Sequence, residues 1–458
     1  MLTIARILAL IIFLGMFTFL ILGKAPRHVV TLVSGALVLV FVFGVCLHSG
    51  HAVWSSLNLG SIVHPSMWYG SSEEESFGIS WSTILFILGV WFMVESLSRS
   101  GFFKWICLAL AKGVKYKIMP LFLVFMLIAA FLSMFIDSIT VILFLAAITI
   151  ELSRLMKFDP VSMILAEVFC ANLGGSATMS GDPPNVIIGS AFRFTFFDFL
   201  SNTGIIAAIV LIPTIIFFML VNRKEFKATE ARLPDDIVFP APLEAITNWP
   251  AFIYSAVMFL AVVVLLVTNK MTGLTITTIG LGIGLISWIG VSAILGGKTW
   301  KDILKSIDYK TIGFFVGLFL VVSGLEFTGC LKLVAQFIER VSGGNPFITI
   351  AIVLWISAVV SAFVDNIPFA ATMVPVIKAL ASPVVPLPVL AFTLSIGTDI
   401  GGNATPIGAS ANVVATSISA QSGHPISWGR YCKYNAPATI VVIALSMVLI
   451  FAKYYWLA

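Results

Sequence analysis

Charge is what this 458-residue chain has least of. Only 10% of its residues are Asp, Glu, Lys or Arg, against about 25% in an ordinary soluble domain. That leaves too little polar surface to coat a water-soluble molecule of this length. The five cysteines stand alone with no CxxC pair, which excludes a disulfide framework and a zinc site. There is no nucleophile motif, no paired histidine and no phosphate-binding loop, so the chain reads as neither an enzyme nor a nucleotide binder. The net charge of +5 lies in short loops and follows a positive-inside bias rather than a nucleic-acid surface.

What is abundant is apolar sequence, 59% of the residues. Several runs reach or approach the roughly 20 residues a helix needs to cross a bilayer, among them Ile4–Leu22, His28–Leu47 and Ala436–Ala452. The first run has no clear small-residue cleavage site and is read as a retained span. The expectation is an all-α polytopic membrane protein, in the inner cell membrane.

Two stretches break this pattern. "NLGGSATMSGDPPNVIIG" begins at Asn172, and "DIGGNATPIGASANVVAT" begins at Asp399, an offset of 227. The segments "FIDSIT" at Phe135 and "FVDNIP" at Phe363 recur at an offset of 228, and so do the apolar blocks starting at Trp81 and Tyr309. Blocks repeated in one order at a nearly constant offset indicate an internal duplication, a transporter feature. Loop charge gives its orientation. Most Lys and Arg fall in loops assigned to the cytoplasm, including Lys24/Arg27 and Lys298–Lys310. The loop His48–Gly78 has neither residue and carries Glu73, Glu74 and Glu75. On that layout the first repeat starts outside near Ser80 and the second inside near Asp308, so the repeats are inverted.

The expected organisation is an N-terminal scaffold with an extracytoplasmic loop (1–79), a first repeat (80–221), a cytoplasmic linker (222–250), inter-repeat helices (251–308) and a second repeat (309–458). Each repeat contains a hairpin with a polar midpoint, 119–153 and 347–380, read as re-entrant because arms of about 15 residues rise only about 22 Å. Each also contains a broken helix, 161–195 and 386–420. Phe102–Lys112 and Cys330–Arg340 read as amphipathic interfacial helices.

Irregular backbone survives at membrane depth only inside protein or beside a polar cavity. The breaks therefore read as binding sites. Gly174, Gly175, Gly401 and Gly402 let backbone oxygens approach a ligand. Asn172, Ser176, Thr178 and Asn185 add oxygens in the first break, and Asn403, Thr405, Ser410 and Asn412 in the second. Free N–H groups at a half-helix start favour an anion. Four aspartates fall at the tips and breaks: Asp137, Asp182, Asp365 and Asp399. A carboxylate at mid-membrane is a functional candidate by default; capping of a half-helix is the alternative, most of all for Asp182 before Pro183–Pro184. Ser138, Thr140 and Asn366 complete the tips. Na⁺ is expected at Asp137/Asn185 and Asp365/Asn412, with Asp182 or Asp399 exchanging protons. Glu95 is expected to pair with Arg99. No cofactor is expected beyond the coupling ion.

The stretches "GGSATMSGDPPNVIIGS", "FVDNIPFAATMVPVI" and "GGNATPIGASANVVA" resemble the signatures of the ion transporter superfamily, in the branch of the melanosomal P protein, the arsenite/antimonite efflux permeases and the citrate-metal permeases. The resemblance runs from about Ser80 to the C-terminus. It implies a scaffold and a transport region in each protomer, a homodimer, elevator-type movement, and a small ion bound between hairpin tips and broken helices. In the dicarboxylate branch each tip reads Ser-Asn-Thr. Here the tips read "IDSIT" and "VDNIP", which points away from a dicarboxylate. The function expected is secondary active ion transport driven by Na⁺ or H⁺, as Na⁺/H⁺ exchange or cation-coupled anion transport, with arsenite efflux as an alternative and an ion channel as the alternative of another class.

Overall fold

The computed structural model describes residues 2–70, 77–230 and 239–456; Glu73–Glu75, Arg232 and Pro234 lie outside them. Among the described residues there is no strand, only an isolated bridge between Tyr69 and Leu274. A helix satisfies its backbone internally, which a bilayer demands.

Eighteen principal helices are named here in chain order. The first half comprises α1 (Leu2–Leu22), α2 (Arg27–Leu37, widening into π turns at Val38–Cys46), α3 (Trp81–Arg99), α4 (Phe102–Gly113), α5 (Ile118–Ser133), α6 (Ser138–Met156), α7 (Val161–Gly175), α8 (Pro183–Phe192) and α9 (Ile205–Glu230). The second comprises α10 (Trp249–Val267), α11 (Ile276–Leu295), α12 (Tyr309–Phe327), α13 (Cys330–Ser342), α14 (Pro346–Ser361), α15 (Asn366–Leu380), α16 (Leu387–Gly401), α17 (Ser410–Gln421) and α18 (Trp428–Phe451). Each helix of the first half thus has a counterpart nine places later. Nine helical stretches among the described residues are long and apolar enough to cross a membrane. The chain is an all-α polytopic protein.

Packing follows the same pairing. α2 lies along α12, and α11 lies along α3. Both contacts are backbone-close. A Cβ on Gly317 would sit 2.3 Å from the carbonyl carbon of Thr31, and one on Gly89 2.3 Å from that of Gly280. Small residues let membrane helices approach in this way. α5 packs on α7 and α14 on α16, while the second arm of each tip crosses to the other half, α6 onto α17 and α15 onto α8.

Three local features differ from the expected lengths. α6 has 19 residues, about 28 Å, so it is longer than the arm expected there. α9 continues to Glu230 and takes up the first nine residues of the expected 222–250 linker, because "NRKEFKATE" contains no helix breaker. The loop after α2 is itself partly helical, with turns at Gly50–Leu57 and Gly60–Val63; Ser49 caps the first through the N–H of Ala52.

Candidate functional site

Both expected breaks are present. α7 ends at Gly175 and α8 starts at Pro183; α16 ends at Gly401, a short 3₁₀ turn covers Gly402–Ala404, and α17 starts at Ser410. Asn185 Nδ2 donates to the carbonyls of Gly175 (3.0 Å) and Thr178 (3.1 Å), stapling its own break. Asn412 Nδ2 does the same to Gly402 and Thr405, both at 2.8 Å. Thr178 Oγ1 donates to the Met134 carbonyl and Thr405 Oγ1 to that of Ala362, tying each break to the tip beside it. Ser176 Oγ turns back to the Leu173 carbonyl. Carbonyls at helix ends lack intrahelical partners, and a buried one left unpaired costs about 1–3 kcal/mol.

Two of the four glycines also have a packing role. A Cβ on Gly174 would lie 2.0 Å from the Ala130 oxygen, and one on Gly401 2.3 Å from the Ala358 Cα. They bring α7 against α5 and α16 against α14, so at these two positions the close approach is to protein backbone.

Across the halves the breaks are bonded to each other. Asp182, 3% exposed, accepts from Ser138 Oγ of the first tip (3.2 Å) and from Asn366 Nδ2 of the second (2.8 Å). It makes no side-chain cap to α8. Asn172 Nδ2 donates to Asn403 Oδ1 and Asn412 Oδ1 at 2.8 and 3.0 Å. Ser395 Oγ donates to Asn185 Oδ1 at 2.6 Å. Asp399 is fully buried and neither of its carboxyl oxygens makes a geometrically sound hydrogen bond, although Asn185 and Asp182 stand beside it.

The other two aspartates are the caps. Asp137 receives the Thr140 N–H (3.0 Å) and Thr140 Oγ1 (2.8 Å) at the start of α6. Asp365 receives the Ile367 N–H at the start of α15 (3.3 Å) and Ser410 Oγ (2.6 Å). It also pairs with Arg27 Nη1 at 2.6 Å.

Asp137, Thr140, Asp365 and Ser410 line one cavity of about 750 Å³, together with Pro183 and Arg27. The first residues of α6, α8, α15 and α17 all reach it. Four helix N-termini around one space create a positive potential that suits an anion. The two tip carboxylates supply the opposite sign. Ser180 of the first break also lines the cavity; the other predicted break residues are not on its wall, and Ser138 and Asn366 are buried next to Asp182. Glu95 lines the cavity and pairs with Arg99 at 2.8 Å, one helical turn on.

Residues 17–397 match the family model described as citrate transporter. The chain belongs to that family. This transporter is 31% identical over 384 residues to a 46 kDa membrane protein of Mycobacterium leprae, covering 82% of this chain and 87% of the relative. It is 27% identical over 443 residues to the human P protein, covering 81% of this chain but 53% of that longer protein. Among solved structures, the YdaH transporter of Alcanivorax borkumensis superposes with a TM-score of 0.51 at 12% identity, over 81% of this chain and 85% of that one. That likeness is one of fold. The chain is a multi-pass membrane transporter and not an enzyme.

The transporter has a second cavity, of about 680 Å³, at the other end of α3, where Ser80–Ser82, Arg193, Asp198 and Lys270 line it. Val186 of α8 faces the first cavity and Gly189 the second. Those positions are about 4.5 Å apart along the helix.

Two groups escaped the sequence reading. Arg27 was assigned to a cytoplasmic loop, yet it reaches a hairpin tip. Glu167, in the middle of α7, is fully buried. An ionisable residue inside a span was the available signal for Glu167. No sequence signal joined Arg27 to a residue 338 positions away.

Proposed function

We propose that this transporter is a secondary active carrier that moves a small anion together with Na⁺ or H⁺. The supporting observation is the convergence of four helix N-termini with Asp137, Asp365 and Arg27 on one cavity. N–H groups and the guanidinium attract the anion. Asp365 already holds Arg27, while the Asp137 carboxylate repels the anion until a cation neutralises it, and that order of events is coupling. Asp137 offers its oxygens beside the first break and Asp365 beside the second, with Asn185 and Asn412 holding the loops in shape.

Movement is of the elevator kind. The tips and breaks are hydrogen-bonded into one body through Asp182, Asn172 and Asn185, and α2–α12 with α3–α11 form the frame beside it. The first cavity lies beside Arg27, His28 and Lys310, on the face that loop charge assigns to the cytoplasm. It therefore corresponds to an inward-facing state. The family name makes citrate and related carboxylates the first anions to try. Na⁺/H⁺ exchange without an anion is the second reading, favoured by Asp399 and its two unpartnered oxygens. Thiophilic efflux gains nothing from Cys170, which is buried in α7 and absent from the cavity wall.

Thermal-shift measurements in detergent test this: Na⁺ against K⁺ or choline, across pH, with citrate, phosphate, arsenite and chloride. A ligand at a hundred times its Kd stabilises the folded form by about 2.7 kcal/mol. An anion that stabilises only with Na⁺ or at low pH supports coupled transport. Stabilisation by Na⁺ with no anion effect supports exchange.

A further inference from the structure

The structure contains a polar cluster that the hairpin-tip site does not use. Glu167 lies six residues into α7 and is 0% exposed. Its Oε1 accepts from Thr149 Oγ1 of α6 at 2.5 Å, and its Oε2 has no partner. Cys107 of α4 and Cys170 of α7 stand close enough to feel its charge.

The internal repeat supplies a control for this cluster. The offsets of 227 and 228 carry Glu167 to Leu394, Cys170 to Gly397, Thr149 to Ile377 and Cys107 to Ala335. Leu394, Ile377 and Ala335 are buried in the second half. The same framework therefore packs with no polar atom at these places. A buried carboxyl with one hydroxyl partner is not a packing requirement of the fold, and burying it is costly. An expensive, dispensable ionisable group inside a span marks a proton path or relay by default.

The surroundings leave it no cation. α5 and α17, which pack on α7, carry no ionisable side chain. On α6, Glu151 is paired with Lys104 and Arg154 is exposed. On α9, Glu225 accepts from Ser162, the basic residues are exposed and Glu230 is at the far end. On α18, Arg430 is held by Asp159, Lys433 is exposed and Tyr431 is buried. Asp399 of α16 stands beside Asp182 and Asn185. Among the described residues no ion pair reaches Glu167, so its charge can be neutralised only by a proton.

We propose that Glu167 is a proton-binding site in the first half, separate from the hairpin-tip cavity. The proton bonds to the free Oε2, about 9 Å along α7 from its first residue. It travels with the body that carries the breaks. The duplicated fold then holds two tip sites, one from each half, and at Glu167 a buried carboxyl that the second half replaces by Leu394, which is a built-in asymmetry between the halves.

The test uses the full chain, purified in nanodiscs, with Glu167→Gln and a second variant, Glu167→Leu/Thr149→Ile, that copies the packing of the second half. Protons released on a jump from acid to alkaline pH are counted with an indicator dye. The carboxylic-acid C=O band is followed by infrared difference spectroscopy. Both variants are expected to release one proton fewer than the wild type and to lose part of that band, while the Na⁺-induced thermal shift stays unchanged. An equal proton count and band in both variants overturns the assignment. Loss of the Na⁺ shift in a folded variant overturns the separation of the two sites. A wild type with no Na⁺ shift refutes Na⁺ binding at the tips and leaves the proton count to decide this question alone.

Discussion

Asn366 and Asp182 are 184 positions apart in the chain and joined by a hydrogen bond of 2.8 Å. With Ser138 on the other carboxyl oxygen, Asp182 is the point where the first break holds both tips. Asp182→Ala leaves two buried donors without an acceptor. Each such loss costs about 1–3 kcal/mol. The expected result is a clear fall in melting temperature in detergent and loss of gradient-driven uptake; Asp182→Asn, which keeps one acceptor, falls between.

Arg27 and Asp365 behave differently. The Arg27 side chain is 45% exposed and that of Asp365 9%, but Asp365 keeps the Ile367 N–H and Ser410 Oγ when Arg27 is replaced, so the loss is expected to cost about 1 kcal/mol or less. Arg27→Gln is expected to leave the melting temperature nearly unchanged while raising the KM for the anion and altering the Na⁺ dependence of uptake. Measuring both separates a site role from a structural one.

Gly174 and Gly401 are packing positions. Alanine at either forces a methyl group into the backbone of the neighbouring helix, and overpacking of this kind costs about 1–3 kcal/mol. Gly15→Ala is the control, since nothing lies within 4 Å of a Cβ there. Thermal denaturation should rank Gly174→Ala and Gly401→Ala well below it.

Asn185→Ala and Asn412→Ala each release two carbonyls at a break. Both are expected to lower the melting temperature, and the remaining thermal shift by Na⁺ should weaken in each. Equal Na⁺ shifts in wild type and variants would limit the two asparagines to holding the loops.

Much of this was legible in the sequence because glycine, proline and aspartate are rare enough in apolar sequence to be noticed, and here they recur at one offset. The breaks after Gly175 and Gly401 follow from that reading, and the Glu95–Arg99 pair from its i,i+4 spacing. The roles of the aspartates were harder. Asp182 before two prolines looks like a helix cap, yet Asp137 and Asp365 are the caps, because which side chain turns back onto its own helix depends on neighbours distant in sequence. Glu167 was missed for the opposite reason. It sits in the regular first arm of the broken helix 161–195 and its repeat partner is leucine, so a search for recurring polar residues passes over it. The extension of α9 shows that helix-forming residues continue a span past the apolar boundary when nothing stops them.

The most direct test of the central claim is gradient-driven uptake into proteoliposomes by the wild type, Asp137→Asn and Asp365→Asn. The wild type is expected to accumulate its anion above equilibrium only with an inward Na⁺ or H⁺ gradient, with saturation and counterflow, and both variants to lose that accumulation. Uptake that never saturates, or both variants concentrating the anion as well as the wild type, contradicts the account.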